Sequence, residues 1–208
     1  MNAISLWNIS ARKASLGLGL AVAISSVCLP AQALDVAGVS YQPASQMGSS
    51  RLTLNGAGTG LQAAYRLYTA GLYLEQPVHA AQGVLANTGG KQVRLVMLRD
   101  ASPRQMTELL TQGLVDNTDN DTLADLISEI FEIGLMLNEH GVFRTGDTVQ
   151  IDSHPLTGTT VTIGSGARAS ADSQSFANPH MFPALMGIWL GDHPVDAGLK
   201  QAMLGTSI

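Results

Sequence analysis

With 208 residues, 45% hydrophobic and only 13% charged, the chain has apolar surface for one buried core and too little length for two comfortable domains. Its formal net charge is -5 and it has no run of Lys or Arg, which argues against nucleic acid or an anionic lipid surface as a partner. A single cysteine, Cys28, excludes a disulfide framework.

Residues 1–33 read as a secretory signal peptide. Arg12 and Lys13 precede the apolar run "LGLGLAVAISSVCLP", and "AQA" at 31 to 33 supplies the small-x-small cleavage site. The run is shorter than the roughly 20 residues of a spanning helix. Cleavage near Ala33 removes Cys28 and leaves 9 basic against 16 acidic residues, a net charge of -7. The expected mature protein is a single domain, 34–208, periplasmic or secreted, with no integral membrane span.

Residues 34–50, "LDVAGVSYQPASQMGSS", show no clear period and predict a short strand at most, plus loop. "RLTLN" alternates as a strand does. In "GAGTG", Gly56, Gly58 and Gly60 fall on alternate positions. A dinucleotide-binding loop requires G-x-G-x-x-G followed at once by a helix. Here the third glycine comes one place early and a Tyr- and Leu-rich stretch follows. The stretch reads instead as a turn feeding a strand, "RLYTAGLYL", with Gly71 at a bulge or a close backbone approach.

"QVRLVMLRD" at 92–100 predicts a strand buried on both faces at its centre. Ser102, Pro103 and Gln105 then mark a helix start with a capping box, and Met106, Leu109, Leu110, Gly113 and Leu114 form its stripe. "DNTDND" breaks the chain before a second helix with a stripe of Leu123, Leu126, Ile127, Ile130, Gly134 and Leu137, stopped by Gly141. "DTVQIDS" and "GTTVTIGSGARASADS" predict three strands, the last two turning at Gly164-Ser165-Gly166. Asn178-Pro179 and Pro194 open two final helices stopped by Gly191 and Gly205. The order of strands, helices, strands, helices predicts an α+β fold, an antiparallel sheet covered by helices on one side.

The usual catalytic and metal-binding patterns are missing. The histidines His79, His140, His154, His180 and His193 do not stand at metal-ligand spacing. No "GxSxG" elbow is present. Asp116, Asp119 and Asp121 lack the glycine and glutamate of a calcium loop and are better suited to helix capping. Neither a metal nor a cofactor is expected. Trp189 reads as a core or edge anchor whose indole N–H needs a partner.

Four segments in order, "LNGAG", "YTAGLYLE", "FRTGDTVQID…GTTVTIG" and "IWLGDHPVDAGLKQAMLG", resemble the bacterial branch of the chalcone isomerase-like proteins over Leu52 to Gly205. The resemblance implies a large curved antiparallel sheet with a layer of helices on one face and a pocket between them. It also implies where the family's reactive groups would fall. Its arginine falls at Gly60, its tyrosine at Met106, its asparagine at Gly113, and its two hydroxyl residues at Tyr68 and near Ala171. Glycine supplies no charge and methionine donates no hydrogen bond, so no catalytic residue is expected.

The resemblance points instead to the non-catalytic, fatty-acid-binding relatives. In those proteins an arginine and a tyrosine at the Tyr68 position hold a carboxylate. The expected ligand-binding residues are therefore Tyr68, Met106 and Gly60, with Arg66 as a substitute cation if its side of the strand faces the pocket. The expected ligand is a hydrophobic small molecule such as a fatty acid. The alternatives are an isomerase with a relocated active site and an envelope interaction protein whose pocket is filled by side chains.

Overall fold

A computed structural model describes residues 32–62, 65–165 and 171–206. The expected signal peptide lies outside them except for its last two residues, as does Gly166 of the expected turn. Ala31–Ile208 cluster as one unit.

Segment 34–50 holds more order than its sequence suggests. β1 (Leu34–Val36) and β2 (Val39–Tyr41) form a hairpin, and β3 (Ala44–Met47) joins the main sheet. The two turn residues, Ala37 and Gly38, both have positive φ, 52° and 83°. That is the backbone of a tight hairpin turn, and an alanine in the first place conceals it. Tyr41 then reaches the sheet, where its hydroxyl donates to Thr69 Oγ1 at 2.7 Å.

β4 (Ser50–Gln62) and β5 (Tyr65–Leu74) pair along nearly their whole length. The expected turn at "GAGTG" is therefore corrected: the three glycines lie inside β4. Alternate strand positions share a face, and here that face is bare so that other groups can lie on it. A Cβ on Gly56 would sit 2.0 Å from the carbonyl oxygen of Ala202, and one on Gly58 2.6 Å from the Ala202 methyl. Thus α6 (Ala197–Met203) rests directly on the strand. Gly71 marks a close approach rather than a bulge, since its Cβ would meet the Tyr41 ring at 2.5 Å. The bulges fall at Leu54/Gly56 and Gly60/Leu61.

β6 (Lys91–Met97), β7 (Thr148–His154), β8 (Gly158–Gly164) and β9 (Asp172–Phe176) complete a seven-stranded antiparallel sheet in simple chain order, curled as a half-barrel. Along β5, Tyr68, Ala70, Leu72 and Leu74 face the main core, while Tyr73 faces a smaller cluster with Tyr41, Met47, Leu52 and Val96. The helices cover the first face, and the β1–β2 hairpin packs on the second.

After a short α1 (Ala81–Ala86), α2 (Pro103–Asn117) starts at Ser102 with the expected capping box, Gln105 N donating to Ser102 Oγ at 3.3 Å. Gly113 permits close packing, since a Cβ there would meet Ile188 at 2.7 Å. The second expected helix is two: α3 (Asn120–Asp125), capped by Asp119, and α4 (Ile127–His140). The expected stripe holds at Leu123, Leu126, Ile130 and Leu137, which meet the core, and changes elsewhere. Leu126, Ile133, Leu137 and His140 are buried, whereas Ile127 is 65% exposed and Gly134 faces open space. α5 (Met181–Leu190) is buried on nearly all sides, and α6 begins at its Asp196 cap rather than at Pro194. None of the helices among the described residues is long and apolar enough to cross a membrane.

Candidate functional site

Between the sheet and the helices lies an apolar cavity of about 40 Å³. Its floor is Leu95 of β6, Val149 and Ile151 of β7 and Val161 of β8. Met106, Leu109 and Leu110 of α2 and Ile133 and Leu137 of α4 form two walls. Leu185, Ile188 and Trp189 of α5 close the third. These residues project inward because each strand alternates and each helix repeats at three and four residues. The only polar atom among these side chains is the indole nitrogen of Trp189, and it is already engaged.

That nitrogen donates to the Tyr68 hydroxyl at 2.9 Å, joining α5 to β5 inside the core. Tyr68 is fully buried, and its ring lies on Gly60, its register partner on β4. A Cβ on Gly60 would be 2.4 Å from Tyr68 Cζ. The two positions are therefore complementary: the bare strand at 60 receives the ring from 68. The space where the resemblance would put a guanidinium is filled by an aromatic side chain. Tyr68 stands behind Trp189 and is not part of the cavity wall.

The four expected ligand-binding residues thus separate. Met106 lines the cavity and is 5% exposed. Tyr68 and Gly60 pack against each other beside it, outside the lining. Arg66 is solvent-exposed and reaches neither, so the expectation of a substitute cation within the pocket is not met. The bulge at Gly60/Leu61 places Arg66 opposite Leu61, near the strand end. Most of the lining belongs to stripes legible in the sequence. The bond between Trp189 and Tyr68 was not legible, since only the fold brings residues 121 apart together.

Burial pushes the phenols of Tyr68 and Tyr41 up to about 12 from the ordinary 10, with Tyr68 opposed by the Trp189 hydrogen bond and Tyr41 by that of Thr69. A raised folded value gives stability that is complete below pH 10 and is lost as pH rises through about 12. Each phenol should account for on the order of 2 kcal/mol over that window. Tyr68→Phe is expected to flatten the alkaline loss of stability measured by urea unfolding between pH 10 and 12. An unchanged slope would contradict the buried setting of this phenol.

Several other ionisable groups are tied into the scaffold. His140 Nε2 is 3.1 Å from Asp147 Oδ2 in a buried pair, and His79 Nδ1 lies 2.7 Å from the Leu204 carbonyl. The Lys91 ammonium donates to the carbonyls of Asn87 and Gly89 and lies over the Phe182 ring. Asp119 accepts from Thr122 N as a helix cap. Among the described residues, no cluster of three His, Cys, Asp or Glu side chains is placed to hold a metal ion.

A curled antiparallel sheet with helices on one face and an apolar space between them defines an open-faced α+β sandwich with an internal pocket. The chain belongs to the chalcone isomerase-like family, whose model matches residues 33–205. A solved structure with the same fold is a fatty-acid binding protein of Arabidopsis thaliana. It is 12% identical, with a TM-score of 0.55 over 80% of this chain and 92% of that one. No curated protein matches the sequence.

Proposed function

We propose that this protein is an exported, non-enzymatic binder of a hydrophobic small molecule, a fatty acid or another single-chain lipid, whose tail occupies the sheet–helix cavity. The observation that carries the reading is a sheet–helix cavity walled by apolar side chains, with Met106, where the family resemblance would put a reactive tyrosine, on its wall. Gly60, Met106 and Gly113 have no group able to stabilise a developing charge. The fatty-acid binding of the Arabidopsis neighbour is consistent with this reading. Export, to the periplasm or beyond the cell, rests on the signal-like residues 1–33.

The space is small. A cavity of about 40 Å³ is well below the roughly 150 Å³ that admits a benzene ring and the roughly 300–1,000 Å³ of drug-sized pockets. It suits the end of an alkyl chain better than a three-ring flavonoid, and a longer tail requires side chains to move. Met106, unbranched and with three side-chain torsions before its terminal methyl, is the natural one to yield.

The test uses Trp189, the only tryptophan in residues 34–208. Its emission should shift on titration with at least one of a panel of single-chain fatty acids, alcohols and monoacylglycerols. A ligand at a hundredfold excess over its Kd should add about 2.7 kcal/mol to stability. Val161→Leu, which adds a methylene group at the cavity floor, is expected to weaken that ligand about tenfold while the fold persists. Native mass spectra showing bare protein from its own compartment, with no stabilisation by any member of the panel, would remove the reading.

A second reading, an interaction protein, is favoured by the outer face of α4. Ile127, Phe131 and Leu135 are 65%, 65% and 44% exposed and lie four residues apart, a continuous apolar stripe on solvent.

A further inference from the structure

A second space adjoins the first. A surface cleft of about 640 Å³ lies between α2, the end of β4 and the loop before α6. Leu109 lines both this cleft and the inner cavity, and it is half-buried. Its side chain thus lies where the inner apolar space and the more open cleft meet.

The cleft has an uneven charge. Glu108 and Asp116 line it, together with Thr111, Gln112 and His193, and neither lysine nor arginine is among its walls. Of the nearby cations, one is already paired with a wall carboxylate and another faces solvent. Arg104 bonds Glu108 at 2.7 Å from an exposed position, and Arg66, opposite Leu61 in register, points into solvent. Asp196 is also close, accepting from Leu61 N at 3.1 Å. An anionic group here would meet Asp116 and Asp196, with the Arg104 guanidinium already engaged by Glu108. The Thr111 hydroxyl donates to Thr107 O at 2.8 Å and Gln112 Nε2 to Asp116 Oδ1 at 2.7 Å, so these walls present acceptor oxygens, to which a hydroxyl can donate and a carboxylate cannot.

We propose that a single-chain lipid enters past Leu109, tail first, and leaves in the outer cleft a head group that is uncharged, a hydroxyl such as that of a long-chain alcohol or monoacylglycerol, not a carboxylate. This rests on the tail-binding reading above and specifies its ligand class. The tail provides affinity through buried apolar area, and the cleft selects the head by excluding anions.

The experiment compares 1-decanol with decanoate at pH 8, where the carboxylate is ionised, by calorimetry and by Trp189 emission on the purified protein. Decanol is expected to bind at least tenfold more tightly. The double variant E108Q/D116N should raise decanoate affinity at least fivefold and leave decanol within twofold. Arg66→Gln should change neither. Leu109→Phe, a bulkier side chain where the two spaces meet, should slow decanol uptake at least tenfold in stopped-flow emission. Decanoate binding as tightly as decanol, a selective loss of decanoate in R66Q, or unaltered uptake in L109F would each overturn the proposal while leaving tail binding intact. If neither ligand binds, nor any other member of the single-chain panel, both readings fall together.

Discussion

Trp189→Ala should cost about 4 kcal/mol or more, measured as the loss in urea-unfolding free energy. Trp189 is 3% exposed and touches both the cavity and Tyr68. Truncating a buried aromatic side chain to alanine typically costs about 3–5 kcal/mol. The change also removes the donor to a buried phenol oxygen, a further penalty of roughly 1–3 kcal/mol if nothing replaces it. Trp189→Phe keeps most of the packing and should lose about 1–2 kcal/mol. A double-mutant cycle of W189F with Y68F should return a coupling of about 1 kcal/mol, because each single change breaks the same hydrogen bond. Additivity within a few tenths of a kcal/mol would show that the bond contributes nothing net.

Gly60→Arg, which restores the cation implied by the family resemblance, is the second large effect. The first side-chain atom already falls 2.4 Å from Tyr68 Cζ, 2.5 Å from Cε2 and 2.8 Å from the hydroxyl. Three contacts below van der Waals distance on a ring anchored by Trp189 cannot be relieved by one rotamer change. Even Gly60→Ala should lose about 2–3 kcal/mol as overpacking, and G60R at least 3 kcal/mol. The revealing variant is the double change G60R/Y68T. Threonine at 68 vacates the space over position 60, so the pair should be more stable than G60R alone despite the lost aromatic burial. A G60R protein with unchanged melting temperature would show that the ring does not occupy that space. In this chain the ring of Tyr68 occupies the space over position 60, and the bare strand there receives it.

Several elements were legible locally because their determinants are local. Ser102, Pro103 and Gln105 announce the start of α2 through groups within four residues of one another, and the capping box forms as expected. The alternation in "QVRLVMLRD" predicts a strand buried on both faces, and β6 is buried at six of its seven positions. The antiparallel α+β architecture likewise follows from the order of elements and from the four family-like segments.

Other features escaped because their cause is distant in sequence. The glycines of "GAGTG" have the composition of a turn, and only the arrival of α6 and Tyr68 on their shared face shows why a strand should carry them. The Ala37–Gly38 turn is unfavourable by residue type at its first place, and the burial of Tyr41 against Gly71 and Thr69 compensates. In the stripe assigned to the second helix, Leu123, Leu126, Ile130 and Leu137 do meet the core, while Ile127 and Gly134, beyond the break at Leu126, face outward. Arg66 could not be oriented from strand alternation alone, because the bulge at Gly60/Leu61 interrupts it.

Within this chain, then, short-range chemistry determined the start of α2 and the burial of β6 on both faces. What only the tertiary structure decided is the content of the pocket: that Tyr68 bonds Trp189, that Leu109 lines two spaces, and that Arg66 faces water. The physical reason is that hydrogen bonds and cavities between elements depend on how faces meet in three dimensions. A one-residue bulge or a single helix break turns those faces without leaving any mark in the residue pattern.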